Sequence, residues 1–262
     1  MIKTYSRFIF LIITVMLSFS LSACSLLASV SLAATDNGIY QYRQLHSPDG
    51  IGKFYMGREI AQVMGYEGAT WLERSQRETA EQPQQAITAL NLQPTDVVAD
   101  IGAGTGYFTF RISPLVPQGQ VLAVDIQPEM LELINFVTNQ EQITNVKTIL
   151  ADLDRPPLPT NTIDLALLVD VYHEFEYPQE MMQGIHQGLK PGGRVVIVEY
   201  RKENPWIMIK GVHKMTEKQV RRELEAVGFV WKETQEFLPQ QHFMVFEKPD
   251  LTHFDRVELD RI

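Results

Sequence analysis

Ten residues near the middle of the chain, Val97-Val98-Ala99-Asp100-Ile101-Gly102-Ala103-Gly104-Thr105-Gly106, constrain the fold more than any others. An apolar run from Val97 to Ala99 ends in an acid. Three glycines follow at alternate positions, and an aromatic-led helical pattern starts at Tyr107. Glycine lets the backbone take positive φ and lets a ligand approach where a Cβ would block it. A tight glycine turn from a strand into a helix N-terminus also presents free N–H groups. The stretch therefore predicts a nucleotide-type site at the C-terminal end of a strand in an open α/β sheet. Its spacing is G-x-G-x-G, whereas the dinucleotide fingerprint G-x-G-x-x-G places the third glycine one residue later.

The rest of the chain repeats a βα pattern around this stretch. Strands are expected at Val97–Ile101, Val121–Asp125, Val146–Leu150, Thr162–Val171 and Arg194–Tyr200. Helices are expected at Tyr107–Leu115, from Pro128 to about Gln140, at Pro178–Lys190 and at Glu217–Val227. Pro128 sits at the first helical position it prefers, and Gly228 provides a left-handed stop. Pro191-Gly192-Gly193 ends the helix before the fifth strand. Phe229–Phe237 and His242–Glu247 are joined by four residues only, which forces an antiparallel pair. The reading is five βα repeats closed by a hairpin.

Before the core, residues 35 to about 50 are polar, with turn signals at Asp36-Asn37-Gly38 and Ser47-Pro48-Asp49-Gly50, and read as a tether. Tyr55 to Arg77 reads as helical pieces, Gly57–Met64 and Ala69–Arg77, forming a cap. Pro83 starts a further helix ending near Leu90-Asn91. Tyr55, Arg58, Trp71, Glu73 and Arg74 either reach into the cleft or simply pack and solvate these helices. The expected units are residues 1–34, a signal or anchor; 35–82, a tether and helical cap; 83–248, the core domain; and 249–262, a charged tail.

The N-terminus carries Lys3 and Arg7 before an apolar run from Phe8 to Leu21, then Leu21-Ser22-Ala23-Cys24. The run is the length of a signal h-region and short for a spanning helix. It resembles a bacterial lipoprotein signal, with lipidation at Cys24, the single cysteine. Cleavage after Ser31-Leu32-Ala33 and an uncut anchor are the alternatives. All three place the following domain outside the cytoplasm and give membrane association through the N-terminus or, after cleavage near Ala33, a secreted or periplasmic protein. A lone cysteine excludes an internal disulfide framework and a thiolate metal cluster. The formal net charge is −9. The first 24 residues contribute +2, so the remainder carries −9 minus 2, or −11. Such an acidic body argues against nucleic-acid binding.

Five motifs in order resemble a class I S-adenosylmethionine-dependent methyltransferase, of the type 11/25-like kind, over roughly residues 83 to 248. They are the Asp100–Gly106 loop, Asp125 after the second strand, Ala151-Asp152-Leu153 after the third, Leu158-Pro159 with Thr162-Ile163-Asp164 before the fourth, and Leu189-Lys190-Pro191-Gly192-Gly193 before the fifth. The resemblance implies an α/β, three-layer, Rossmann-like fold with a seven-stranded, mostly parallel sheet and an antiparallel last strand. It implies S-adenosylmethionine as cofactor. Gly102, Ala103, Gly104 and Gly106 would pass close to the methionyl part, and Asp100 would hold its ammonium directly or through the loop. Asp125, followed by Ile126, would accept from the ribose diol; its other reading is a helix N-terminal acid before Pro128. Asp152 would accept from the adenine amino group or serve as a turn acid, with Leu153 packed on the ring.

The segment after the fourth strand, Asp170-Val171-Tyr172-His173-Glu174, faces the transferred methyl in this family. Asp170 is a candidate for positioning the methionyl group. His173 is a candidate general base with Glu174 orienting it, or a residue that caps the strand. No metal is expected: no Asp-Asn pair completes an oxygen set, and His46, His186, His213, His242 and His253 show no ligand spacing. The Tyr200–Met215 connection, apolar with Arg201, Lys202 and Lys210, is a candidate acceptor lid, which suits a small-molecule or lipid-like acceptor. A nicotinamide oxidoreductase is disfavoured by the glycine spacing and the closing hairpin. An exported binding protein that keeps the fold without turnover is the other reading.

Overall fold

The computed structural model describes residues 35, 36 and 38–250. The signal and Cys24 expectations lie outside the described residues, as does all but the first two residues of the tail. Among the described residues no helix is long and apolar enough to cross a membrane.

The chain opens on a small antiparallel sheet of four strands: β1 (Thr35–Asp36), β2 (Tyr40–Tyr42), β3 (Gly50–Tyr55) and β4 (Arg58–Ala61). This corrects the expected tether and the expected helix at Gly57–Met64. The cause is a two-residue turn, Met56-Gly57, with φ of 46° and 89°. Two consecutive positive φ values give the turn whose twist matches a hairpin, and Tyr55 pairs with Arg58 across it. Tyr40, Tyr55 and Ile60 bury on one face and form the small sheet's own core. Three short helices follow: α1 (Ala69–Leu72), α2 (Arg77–Ala80) and α3 (Pro83–Ala89).

The main sheet then builds from β5 (Val97–Ile101), β6 (Gln120–Asp125), β7 (Val146–Leu150), β8 (Ile163–Val169), β9 (Leu189–Tyr200), β10 (Val230–Gln235) and β11 (Gln241–Glu247). Its order is β10-β11-β9-β8-β5-β6-β7. The links β9-β8-β5-β6-β7 are parallel, and β11 is antiparallel to both neighbours. The expected seven-stranded α/β sheet is therefore present. The connecting helices are α4 (Thr109–Ile112), α5 (Pro128–Gln140), α6 (Pro178–Gly188) and α7 (Glu217–Glu225).

Alternate residues of the central strands point into two separate cores. Ala99, Leu122, Ala166, Val195 and Ile197 meet α6 and α7 on one face. Val98, Val121, Leu165, Val196 and Val198 meet α3 and the Tyr107–Ile112 segment on the other. Strands covered on both faces read as continuous apolar runs, which is why these were recognisable in the sequence.

Several boundaries differ from expectation, two of them for a local structural reason. The first helix is shorter than Tyr107–Leu115 and ends in a tight 3-10 turn, Ser113–Leu115, around Pro114. The Leu189-Lys190-Pro191-Gly192-Gly193 turn is absorbed into β9 as an irregular start. Ile163 pairs with Leu189, but Leu165 pairs with Arg194, and Gly192 adopts φ 76° in the bulge.

Candidate functional site

The order of the sheet reverses between β5 and β8, so the loops after these strands diverge and leave a crevice at their C-terminal ends. A cavity of about 590 Å³ occupies it. The volume suits a ligand larger than a single metabolite fragment.

Its floor is the glycine loop. Gly102, Gly104 and Gly106 take φ of 71°, 55° and 85°, where a side chain would be strained. Gly102 and Gly104 line the cavity. A Cβ on Gly104 would also stand 2.7 Å from Leu72 of α1, so the arm closes tightly over the loop. Gly106 and Ala103 serve the packing instead: a Cβ on Gly106 would meet Phe110 and Ile134, and Ala103 packs with Leu131. Asp100 does not line the cavity. It is buried and accepts a hydrogen bond from the Thr109 hydroxyl at 2.6 Å, which ties the strand end to α4. Burial pushes its carboxyl up to about 6 even against that bond. Of the two expected roles, the geometry supports the one that acts through the loop.

Asp125, at the end of β6, takes the expected place of an acid at the start of the following helix and also lines the cavity. One carboxylate oxygen accepts from the Gly104 N–H at 2.8 Å and the other from the Gln127 N–H at 2.9 Å. Those bonds brace the glycine loop and the start of α5. The same carboxylate lines the cavity, and each oxygen retains a lone pair for a diol. Burial raises its pKa despite the backbone donors. Ile126, Met130, Ala151 and Leu153 form an apolar slot beside it. Asp152 is exposed and lies outside that lining, whereas Leu153 belongs to it.

Asp170 closes the opposite wall in a left-handed conformation, φ 50°, just after β8. Gln241 donates to one oxygen at 2.6 Å. The other oxygen is buried and has no hydrogen-bond partner, although the residue lines the cavity. Burial, with Glu81 and Glu199 nearby, drives this carboxyl far above the usual range. A buried acceptor without a donor is costly and marks a place for a cationic ligand group. The arm supplies the roof. Arg74 and Arg77 of the arm both bind Glu81, which also accepts from the Tyr200 hydroxyl of β9 at 2.6 Å. Of the two readings for Trp71 and Arg74, the structure gives the one in which they reach the cavity. Tyr55 and Arg58 do not: Tyr55 is in the small core, and Arg58 pairs with the buried Glu223 of α7 at 2.8 Å. Glu73 instead accepts from the Thr105 hydroxyl.

His173 lies beyond Asp170 on a one-turn 3-10 helix, Tyr172–Glu174. Its Nδ1 is 2.7 Å from Glu199 of β9, and its backbone N–H donates to the same carboxylate. A carboxylate only accepts, so Nδ1 carries a proton, and in the neutral ring Nε2 presents a lone pair. Glu199, not Glu174 as expected, is thus the orienting acid. Burial lowers the imidazole, but the Glu199 carboxylate outweighs it and holds the pKa above the ordinary value. Nε2 faces His213 Nδ1 at 3.1 Å, while Glu174 flanks both rings.

His213 and Glu199 are the residues that sequence reasoning missed. The signal for Glu199 was available: an acid inside the apolar run Val195–Tyr200 is buried and needs a partner. His213 gives no local signal, since it comes from the Tyr200–Met215 connection. That connection does border the cavity through Met208, Ile209, Lys210 and His213.

The groups present fit S-adenosylmethionine. Asp170 has an unpartnered oxygen where a methionyl ammonium would fit, Asp125 lines the cavity with a carboxylate that a ribose diol could reach, and the lining of Ile126 and Leu153 is apolar, as an adenine would require. Comparison with known proteins agrees. A family model described as a methyltransferase domain matches residues 92–245. An uncharacterised methyltransferase-like protein of Schizosaccharomyces pombe is 31% identical over 144 residues, 54% of this chain and 52% of that protein. The ubiquinone/menaquinone biosynthesis C-methyltransferase UbiE of Coxiella burnetii is 34% identical over 119 residues, 45% of this chain and 48% of that protein. The chain thus spans about half the length of these curated relatives. Among solved structures, a SAM-dependent methyltransferase from Aquifex aeolicus superposes with a TM-score of 0.67 at 22% identity, covering 71% of this chain and all of that one. The [4+2]-cyclase SpnF superposes at 0.56 and 15% identity, covering 63% of this chain and 79% of that one. The match spans more than half of the residues and carries the glycine loop, Asp125 and Asp170 together. This chain belongs to the methyltransferase domain family and has the class I, S-adenosylmethionine-dependent fold.

Proposed function

We propose that this chain transfers the methyl group of S-adenosylmethionine to a small-molecule or lipid-like acceptor held under the Tyr200–Met215 connection. The observation that carries this reading is a single cavity with two chemically distinct ends. One end has the glycine loop, Asp125 and the unpartnered Asp170 oxygen. The other has the His173 lone pair beneath an apolar rim of Met64, Met208 and Ile209.

The sulfonium brings its own leaving group, so the protein's task is alignment and exclusion of water. Asp170 and Asp125 fix the cofactor at both ends, which leaves its sulfonium between them. The arm covers the loop and keeps solvent out. At the acceptor end, Glu199 holds the His173 ring so that Nε2 faces the cavity.

Calorimetry on the full-length chain in detergent, with S-adenosylmethionine, S-adenosylhomocysteine and NAD, tests the reading. Binding of the first two and not NAD is expected, followed by transfer of labelled methyl to a fraction of small molecules or lipids. Binding of NAD alone would overturn it. Cofactor binding with no transfer to any fraction would favour a binding protein without turnover. We further propose an envelope location through the apolar segment before Cys24. Protease accessibility in intact cells and loss of membrane association in Cys24→Ser test that placement.

A further inference from the structure

Three side chains from two separate segments converge at the acceptor end of the cavity: His173, Glu174 and His213. Their facing atoms are His173 Nε2, His213 Nδ1 and a Glu174 carboxylate oxygen. The separations are 3.1 Å between the two nitrogens, 3.7 Å from His173 to Glu174 and 3.5 Å from His213 to Glu174. Ligands held tetrahedrally at zinc bond lengths stand about 3.3–3.4 Å apart. The three separations bracket that value.

The surroundings are those of a ligand set rather than a surface cluster. His173 is buried, and Glu174 and His213 are largely so. The proton on His173 Nδ1 is committed to Glu199, which is itself fully buried, and this aims the Nε2 lone pair at the cluster. A carboxylate behind a histidine is the usual way in which a ligating imidazole is fixed and made more basic. The other Glu174 oxygen accepts from the Met64 N–H at 3.3 Å and is pinned by the arm. Two carboxylates, Glu174 and Glu199, thus lie beside two imidazoles. The nearest guanidinium, Arg58, donates to the His173 carbonyl but is ion-paired with Glu223. A divalent cation would balance that charge.

We propose that His173, Glu174 and His213 bind a divalent metal ion, zinc by preference, with Glu199 as the outer carboxylate. All three ligands line the cavity, so the fourth coordination position opens into it. It takes water or an oxygen of the acceptor. Resting on the methyl-transfer reading, the ligand class is an acceptor with a hydroxyl at or beside the methylated atom. Coordination acidifies that hydroxyl, and its proton leaves to solvent. The electron pair so freed forms the new bond to methyl as the carbon–sulfur bond breaks and its electrons stay on sulfur.

The test is metal analysis of the full-length chain, purified without chelator, then calorimetry with zinc after stripping and cobalt(II) spectra of the refilled protein. Stoichiometric zinc and a tetrahedral cobalt spectrum are expected. His213→Ala should lose stoichiometric zinc, and Glu199→Gln should bind it roughly 10- to 100-fold more weakly. Both should bind S-adenosylmethionine like the parent, which certifies their fold. Absence of metal in the parent with no uptake on titration would overturn the site, as would unchanged zinc affinity in His213→Ala. If zinc binds but the stripped protein methylates its acceptor equally fast, the metal site stands and acceptor activation falls. Failure of cofactor binding would strike the methyl-transfer reading and leave the metal result intact.

Discussion

The two ends of the cavity are built by opposite means. The cofactor end is local: Asp100, the glycines and Asp125 lie within 26 residues, and their carboxylates take hydrogen bonds from the Thr109 hydroxyl and from the Gly104 and Gln127 N–H groups. The acceptor end is assembled from afar. His173, Glu199, His213 and the arm strand β4 meet only because the sheet, α7 and the small β-sheet pack together. A local site tolerates change in the scaffold, whereas an assembled one depends on distant pairs.

Substitutions can break that contrast, and the largest effect falls on the assembled end. Arg58→Ala leaves Glu223 buried without its cation, although the Tyr172 hydroxyl and Gln219 still donate to it. Removing one partner of such a pair costs about 3–5 kcal/mol. Urea midpoints should fall accordingly, and the double variant Arg58→Met with Glu223→Leu should recover much of the loss. A single variant as stable as the parent would show that the acceptor end does not lean on the arm.

Asp100 probes the local end through pH. Its carboxyl is raised from the ordinary value to about 6 by burial, so the folded state holds the proton more tightly than the unfolded chain. The contribution is therefore greatest below about pH 4 and is lost as pH rises towards 6, by up to about 3 kcal/mol. Asp100→Asn lacks this ionisation and can keep its acceptor for Thr109. Its stability relative to the parent should rise between pH 4 and pH 7, measured as the difference in urea midpoints.

Asp125→Ala removes the diol acceptor and the brace on Gly104 together. S-adenosylmethionine should bind more weakly by about 2 kcal/mol, roughly 30-fold, in calorimetry. Unchanged affinity would remove the ribose assignment. The smallest effect belongs to the exposed pair of Lys210 and Asp49, which links the connection to the arm at 2.6 Å. Lys210→Ala should alter stability by less than about 1 kcal/mol and act, if at all, on the acceptor KM.

What was legible in the sequence follows the same division. The strands Val97–Ile101 and Gln120–Asp125 announce themselves by apolar runs ending in an acid, and the glycines fix the turn chemistry between strand and helix. The arm was misread because Ile60-Ala61 and Val63-Met64 resemble helical spacing. The deciding feature was the pair of positive φ values at Met56-Gly57, and methionine rarely marks such a turn. No spacing rule connects His173 with His213, because loops at one sheet edge can join residues at any separation. Asp152 shows the converse: its motif position offered a contact or a turn acid, and in the structure it is exposed and outside the cavity lining.

The strand β4 lies outside the part of the chain that the family shares. Similarity to the family begins at residue 92, beyond the small sheet and α1 to α3. Leu72 over the glycine loop, Arg58 under the His173 turn and the Met64 N–H on Glu174 all come from the segment before it. A fragment cut at the shared boundary should therefore lose the cover over the glycine loop and the support behind the His173 turn together.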